Sequence, residues 1–460
     1  MGIKGIDNFL KEKCSKDAIK PTTLHELNGC KVCVDMSERI YKSIRKHKNG
    51  HVSGTLNLIE LLFNWNIKPL IVFDGKSDPA KNKVNQNRNN KRVKAHKRQQ
   101  SLTQQLNIIT EFETTLQENK QNDEKISRSS SNVSLSSLKD LDLDIDINNT
   151  YTLDNEKSIE ENIHLIKDKL KDEVCKAENK SQGICNNKIN EIKELLDFFG
   201  IPYIHDKRYE ADIICAHLVR NNIVDYCISN DMDMLAFGCN KVVRNLSFTT
   251  DLIDIYNLPN ILKNLNINYK QFIDMCIMMG CDYTSKLYNI KSNIAYQLIK
   301  EYHTIENIID NLDLINISLS KPLLNNDNFK YDIARNIFKI IIDNDKWKQL
   351  ISIIDFNEIV NHKIILNSDN AKYKELYNFC VNKCPNLNQY LISNKINTFL
   401  GDSFRNFNNY SKYNKPSKPF KYQSYYVNDI KNDIKNKAIN HFNKSRNNAR
   451  VKEINVNLSK

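Results

Sequence analysis

Seven acidic residues stand in five short motifs at expected strand ends and helix starts: Asp35 in KVCVDMS, Asp74 in IVFDGK, Glu210 and Asp212 in YEAD, Asp231 and Asp233 in NDMDML, and Asp282 in GCDY. Carboxylates beside apolar strand residues are costly to bury without a compensating positive charge. Seven of them converging on one place call for hard divalent cations held by oxygen ligands, Mg2+ or Mn2+. Two such ions about 4 Å apart can activate water on one side of a phosphodiester and stabilise the leaving oxygen on the other. Lys81 and Arg88, seven residues apart, are predicted to share one face of a helix, where both can meet a scissile phosphate. Each motif alone is read more economically as a turn or a helix cap. Five of them in a consistent order point instead to phosphodiester cleavage.

The elements that must position these groups follow from the hydrophobic pattern. Residues 1–98 alternate strand and helix: apolar KVCVD, a helix from Ser37, another through Thr55 to Asn64, then KPLIVFD, a near-continuous apolar run. Such runs are the mark of a parallel α/β sheet covered on both faces. The pattern resumes over 189–257 with IPYI, a helix from Glu210 to Arg220, VDYCIS, KVVRNL and LIDIY. In an open parallel sheet ligands gather at the carboxyl ends of strands, so Asp35, Asp74 and Asp231 are expected at one edge. From Lys76 to Arg98 the chain is strongly basic, with Asp78 its only acid. Residues 99–188 are polar and include SRSSSNVSLSSLKDLDLDIDINNT, a composition read as a flexible insertion between the halves of one domain. Residues 258–400 read as helices, and 401–460 as a basic tail.

The length of 460 residues and 40% hydrophobic content suffice for one large or two modest domains. No run of about 18 apolar residues occurs, and charges in MGIKGIDNFLKEK replace a signal peptide's apolar region, so a membrane span and secretion are not expected. The twelve cysteines lack the spacing of a disulfide framework, which suggests an intracellular, reducing compartment, whether nucleus, cytoplasm or a viral replication site. Cys30 and Cys33 read CxxC, but no second ligand pair completes a zinc site, so burial is expected for them and for Cys380 and Cys384. The net charge of +12 concentrates in the tail, where thirteen Lys/Arg of residues 403–460 face three acids. Aromatic residues alternate with Lys and Asn there, a composition suited either to a nucleic-acid strand or to a solvated tail.

MGIKGIDNFL, VDMSERIY, KPLIVFDGK, YEADIICAHL, NDMDMLAFG and MGCDY together resemble the flap endonuclease and XPG family of structure-specific 5′ nucleases, over residues 1 to about 300. IPYI and DMDML resemble its flap endonucleases, while YEAD, LAFGC and MCIMMGCDY resemble its 5′-to-3′ exonuclease branch. The resemblance implies a PIN-like, mostly parallel sheet flanked by helices, with a helical arch inserted between about Asn82 and Lys188. It also implies two Mg2+ ions, with Asp35, Asp74, Glu210 and Asp212 at the catalytic ion and Asp231, Asp233 and Asp282 at the second, Asp212 bridging. Lys81 and Arg88 match the family's catalytic Lys and Arg, Tyr41 a ring that packs on the base beside the cut, and Gly2 a terminus that passes close to the metals. The implied substrate is DNA with 5′ flaps, gaps, nicks or free 5′ ends, cut in replication, repair or recombination.

Three departures qualify the resemblance. Asp212 stands where flap endonucleases carry Glu, as in the exonuclease branch. The family's glycine hairpin, which binds duplex phosphate with K+ in a helix-two-turn-helix, is degenerate: NIKSNIA replaces its glycines with Asn289 and Lys291. The backbone freedom that glycine supplies is thereby lost, although Lys291 can contact phosphate itself. No Q-x-x-L-x-x-F-F peptide near the carboxyl end supports a sliding-clamp partner. Two other readings stay open, a PIN-type ribonuclease and a catalytically inactive DNA-binding scaffold.

Overall fold

The structure, a computed structural model, describes residues 2–47, 49–123, 158–284, 287, 290–311, 329–340 and 370–399. The Ser/Asp-rich run, Asn289 and the basic tail lie outside the described residues.

A seven-stranded sheet forms the centre. Its strands are β1 (Ile19–Thr23), β2 (Lys31–Asp35), β3 (Lys68–Val72), β4 (Tyr203–Ile204), β5 (Tyr226–Ile228), β6 (Lys241–Arg244) and β7 (Leu252–Asn257), in the order β1-β7-β6-β5-β2-β3-β4. The pairs β6–β5, β5–β2, β2–β3 and β3–β4 are parallel, whereas β7 runs antiparallel to both β6 and β1. The apolar runs of β2 and β3 are buried from their second residue onward, as strands covered on both faces must be. The alternating pattern missed β1. Its IKPTT carries a proline that removes a ladder donor, and it survives because it lies at the sheet edge.

Helices α1 (Ile6–Lys13), α2 (Met36–Lys46) and α3 (His51–Asn64) accompany the first strands, and α4 (Asn82–Asp123) and α5 (Ile159–Ser181) form an arm. Next come α6 (Asn186–Phe198), α7 (Ala211–Arg220), α8 (Asp233–Ala236), α9 (Leu258–Leu265) and α10 (Tyr269–Met279). The carboxyl-terminal helices are α11 (Ser292–Tyr302), α12 (Ile305–Asp310), α13 (Tyr331–Phe338), α14 (Asn370–Lys383) and α15 (Gln389–Phe399). Asn66, Asn222 and Asn266 take positive φ (53°, 55° and 52°) where helices end. This chain, with only 11 glycines, uses asparagine at these left-handed positions.

Residues 99–188 read from composition as a flexible insertion and from the resemblance as a helical arch, and their described parts form an arm of two helices. Residues 99–123 and 159–181 are helical, and Leu102, Ile109, Ile163, Ile166 and Leu170 are buried in a seam of their own between α4 and α5. Ser158 opens α5 with a capping box to Glu161, and Arg98 pairs with Glu173 at 3.1 Å. A polar average hid an apolar stripe of helical period.

The carboxyl-terminal helices are pinned by ion pairs. Arg335 of α13 grips buried Asp274 of α10 through Nε and Nη2, both at 2.8 Å, and Glu306 of α12 at 2.6 Å. Lys383 of α14 and His51 of α3 meet on Glu191 of α6, at 2.8 and 2.6 Å. Among the described residues, no helix is long and apolar enough to cross a membrane.

Candidate active site

The carboxyl ends of β2, β3 and β5 form one edge, and each acidic motif arrives there by a different local device. Asp35 is the last residue of β2 and the N-cap of α2, accepting Ser37 N–H at 3.1 Å through Oδ1, while Ser229 Oγ donates to its Oδ2 at 3.2 Å. Ser229 also accepts from Asp231 N–H, and Asp231 Oδ1 accepts from Asp233 N–H, both at 3.1 Å. This ladder of tight turns beyond β5 delivers Asp231 and Asp233 together. Asp74 follows β3 and accepts Ala211 N–H at 2.8 Å, docking on the positive end of α7. Gly75 makes that approach possible, since a Cβ there would lie 2.1 Å from the Asp206 carbonyl oxygen and 2.5 Å from that of Tyr209. Glu210 is the N-cap of α7 but makes no side-chain cap bond, because its carboxylate is engaged elsewhere.

The spacing of Lys81 and Arg88 predicted one shared helix face, and the structure corrects this. Lys81 does not lie on α4. It closes a 3-10 turn, Pro79–Lys81, that Asp78 caps through Ala80 N–H at 2.8 Å, and α4 begins at the next residue. From there Lys81 Nζ donates to Glu210 Oε2 at 2.7 Å, while Arg88 Nη2, on α4, donates to Asp282 Oδ2 at 2.7 Å. Gly2 has φ 85°, and a Cβ on it would lie 2.1 Å from Asp231 Oδ1, so the amino-terminal segment passes against the carboxylates. Tyr41 accepts from Arg92 Nη2 at 2.6 Å, with the guanidinium 5.5 Å from its ring centre. Lys291 is exposed at the N-cap of α11 and makes no cap bond.

Six of the seven carboxylates are tied together by charge. Burial, then repulsion from Asp74, Glu38 and Asp231, pushes the Asp35 carboxyl up to about 8. Asp212 is held well above the ordinary carboxylate range by burial and by Asp35, Asp231 and Asp74, although Lys81 opposes this. Burial, Asp231 and Asp282 do the same to Asp233, and burial with Asp282 raises Asp231. Asp212 thus faces members of both groups. The Lys81 ammonium is stabilised against its burial chiefly by Asp212 and Glu210.

The donor set suits a hard divalent ion. Every donor is a carboxylate oxygen, and Asp233 Oδ1 is buried with no hydrogen-bond partner. Uncompensated negative charge remains after Lys81 and Arg88 have each neutralised one acid. Among the described residues, only the thiols of Cys33, Cys215 and Cys227 bring three ligand atoms within 4.8 Å of one another, so the carboxylates spread more widely than one closed shell. Those thiols lie in the core between adjacent strands β2 and β5, where Cys33 pairs with Cys227 in register, and α7, and they pack as small apolar groups. Cys380 and Cys384 are buried as expected; Cys30 is only half-buried.

Sequence reasoning missed Glu38, Asn230 and Tyr283. Glu38 accepts Asn230 N–H and Nδ2–H, both at 2.9 Å, and so ties α2 to the loop beyond β5. Its signal was its place three residues after the N-cap Asp35, as in a capping box. Tyr283 stood inside the GCDY motif, and its hydroxyl donates to Glu210 Oε2 at 3.1 Å.

Residues 1–95 match the XPG N-terminal domain and residues 200–282 the XPG I-region. The two segments that build the sheet and its acidic edge are thus similar to the XPG family. The chain is 25% identical over 430 residues to flap endonuclease 1 of Plasmodium knowlesi (strain H), covering 87% of this chain and 58% of that protein. It is 29% identical over 328 residues to the probable RAD2-like endonuclease 076L of Invertebrate iridescent virus 3, covering 67% of this chain and 81% of that one. The chain thus spans little more than half the length of the Plasmodium relatives it matches. Among solved structures, the catalytic core of Rad2 in complex with DNA substrate aligns at TM-score 0.48 and 19% identity, over 87% of this chain and 100% of that one.

Proposed function

We propose that the protein is a Mg2+-dependent, structure-specific DNA nuclease that hydrolyses a phosphodiester at 5′ flaps or 5′ ends, in replication, repair or recombination. The observation that carries this reading is the gathering of seven carboxylates at one sheet edge, with Lys81 on Glu210 and Arg88 on Asp282. The endonuclease names of its relatives support the same class of substrate. Asp35, Asp74, Glu210 and Asp212 would hold one Mg2+ and Asp231, Asp233 and Asp282 a second, with Asp212 turned to both; Mn2+ would serve in its place. Such ions, when bound, acidify water and offset charge on the phosphate.

The chain's own groups do the rest. Lys81 and Arg88 take the non-bridging oxygens of the scissile phosphate, where charge grows during displacement. The exposed cations of α4, among them Lys83, Lys91, Lys94 and Lys97, meet backbone phosphates. Tyr41, oriented by Arg92, offers a ring to the base beside the cut. The sealed positions of Asp35, Glu210 and Asp233 exclude bulk water from beneath the phosphate.

The test uses purified protein with Mg2+ and end-labelled 5′-flap, nicked, gapped, blunt and four-way-junction DNA, with RNA flaps alongside and Asp233→Ala as control. Cutting at the flap base identifies a flap endonuclease, and stepwise release from 5′ ends an exonuclease. Preferential cutting of RNA would turn the reading to a ribonuclease. No Asp233-dependent cutting of any substrate would leave a DNA-binding scaffold.

A further inference from the structure

Glu210 Oε2 is shared by two donors, Lys81 Nζ at 2.7 Å and the Tyr283 hydroxyl at 3.1 Å, and the same ammonium lies 4.8 Å from the centre of the Tyr283 ring. Lys81, Glu210 and Tyr283 are 7%, 6% and 4% exposed, so water cannot readily replace a lost partner. The ring has no room to drift. It meets Phe237 and Phe338 edge-on, with centroids 6.2 and 5.4 Å apart and interplanar angles of 88°. Phe338 ends α13, the helix that Arg335 anchors to Asp274 and Glu306. The far wall of this pocket is therefore supplied by a carboxyl-terminal helix, and it fixes where the Tyr283 hydroxyl points.

We propose that Tyr283 is a positioning residue for Lys81: its hydroxyl keeps Glu210 paired when the Lys81 ammonium leaves that carboxylate for a phosphate. The proposal rests on the nuclease reading above. A buried carboxylate oxygen that loses its only hydrogen-bond donor bears a desolvation cost even when the group's other oxygen faces a cation, and this would hold Lys81 on Glu210 Oε2. A second donor already bound to the same oxygen lowers that cost. The ring beneath the ammonium keeps a favourable surface under the lysine as it moves.

Tyr283→Phe tests this directly, because it keeps the ring against Phe237 and Phe338 and removes only the hydroxyl. Single-turnover cleavage of a 5′ flap with Mg2+ is compared for wild type, Tyr283→Phe, Lys81→Ala and the double variant. Removing one hydrogen bond to a buried charged group should slow Tyr283→Phe by about ten- to a hundred-fold, with flap affinity in EDTA unchanged. In the Lys81→Ala background the same change should cost nothing further. A Tyr283→Phe rate equal to wild type, or an equal loss with and without Lys81, overturns the proposal, the second result marking a purely structural role.

A second measurement needs neither metal nor cleavage. In metal-free protein, the acylation of Lys81 by acetic anhydride, followed by peptide mass spectrometry, should be several-fold slower in Tyr283→Phe, because Glu210 then holds the ammonium alone. An unchanged or faster rate overturns the proposal. Wild-type protein inert on every DNA, with Lys81 acylation still slowed in the variant, refutes the nuclease reading while supporting the Tyr283–Glu210–Lys81 linkage.

Discussion

Replacing Asp35 by asparagine should stabilise the metal-free protein, and more so as pH rises. Asp35 is 5% exposed, and burial together with Asp74, Glu38 and Asp231 lifts its carboxyl from 3.8 to about 8. Below pH 4 folded and unfolded chains both hold the proton, and the site costs nothing. Between pH 4 and 8 the unfolded chain has released it and the folded one has not, so stability falls as pH rises through this window and levels off above it. At about 1.4 kcal/mol per pH unit, the span sets a ceiling of about 6 kcal/mol. The neighbouring acids share the repulsion, so removing one charge should recover about 3 kcal/mol at pH 8. Asparagine keeps the N-cap to Ser37 through its one oxygen, and its Nδ2 can donate to the Ser229 hydroxyl in place of the bond that Asp35 accepts, so little else is lost. Urea unfolding at pH 5, 6.5 and 8 in EDTA reads the difference directly. With Mg2+ the order should reverse, because only the wild type retains its full set of carboxylates. A variant no more stable than wild type at pH 8 in EDTA would refute the view that these acids strain the metal-free fold.

Other perturbations probe the scaffold around the site. Gly75→Ala should destabilise the protein by about 2 kcal/mol or more, since its methyl meets the Asp206 and Tyr209 carbonyls and must displace Asp74; thermal unfolding and flap cleavage should both suffer. Arg335→Ala leaves Asp274 buried and unpaired, and should cost about 3–5 kcal/mol in urea unfolding. Leu170→Asp places a charge in the seam between α4 and α5, and should open the arm to proteolysis with the first cuts in α4 and α5 and the sheet intact; resistance equal to wild type would show that the seam does not hold the arm.

The sheet was legible where its strands were apolar throughout. KVCVD and KPLIVFD announce themselves because both faces are covered, and the acid at the end of each run marks the edge where a parallel sheet presents its ligands. β1 was not legible, because a proline-bearing edge strand has neither alternation nor an apolar run. The seam of the arm was not legible because its stripe of Leu102, Ile109, Ile163, Ile166 and Leu170 is diluted among charged residues, and only the facing helix reveals it.

The sequence by itself marked the acids that lie along one sheet edge, since residue type, strand end and motif order are all local. The family resemblance singled out Lys81 and Arg88, while the shared helix face that their spacing predicted does not form, because Lys81 precedes the helix. Tertiary structure decided the partners. That Lys81 sits on Glu210, 129 residues away, Arg88 on Asp282, 194 away, and Tyr283 on the same oxygen as Lys81 depends on how separate elements pack. Such contacts carry no local signal, because ion pairs and hydrogen bonds act over a few ångströms whatever the length of chain between the partners.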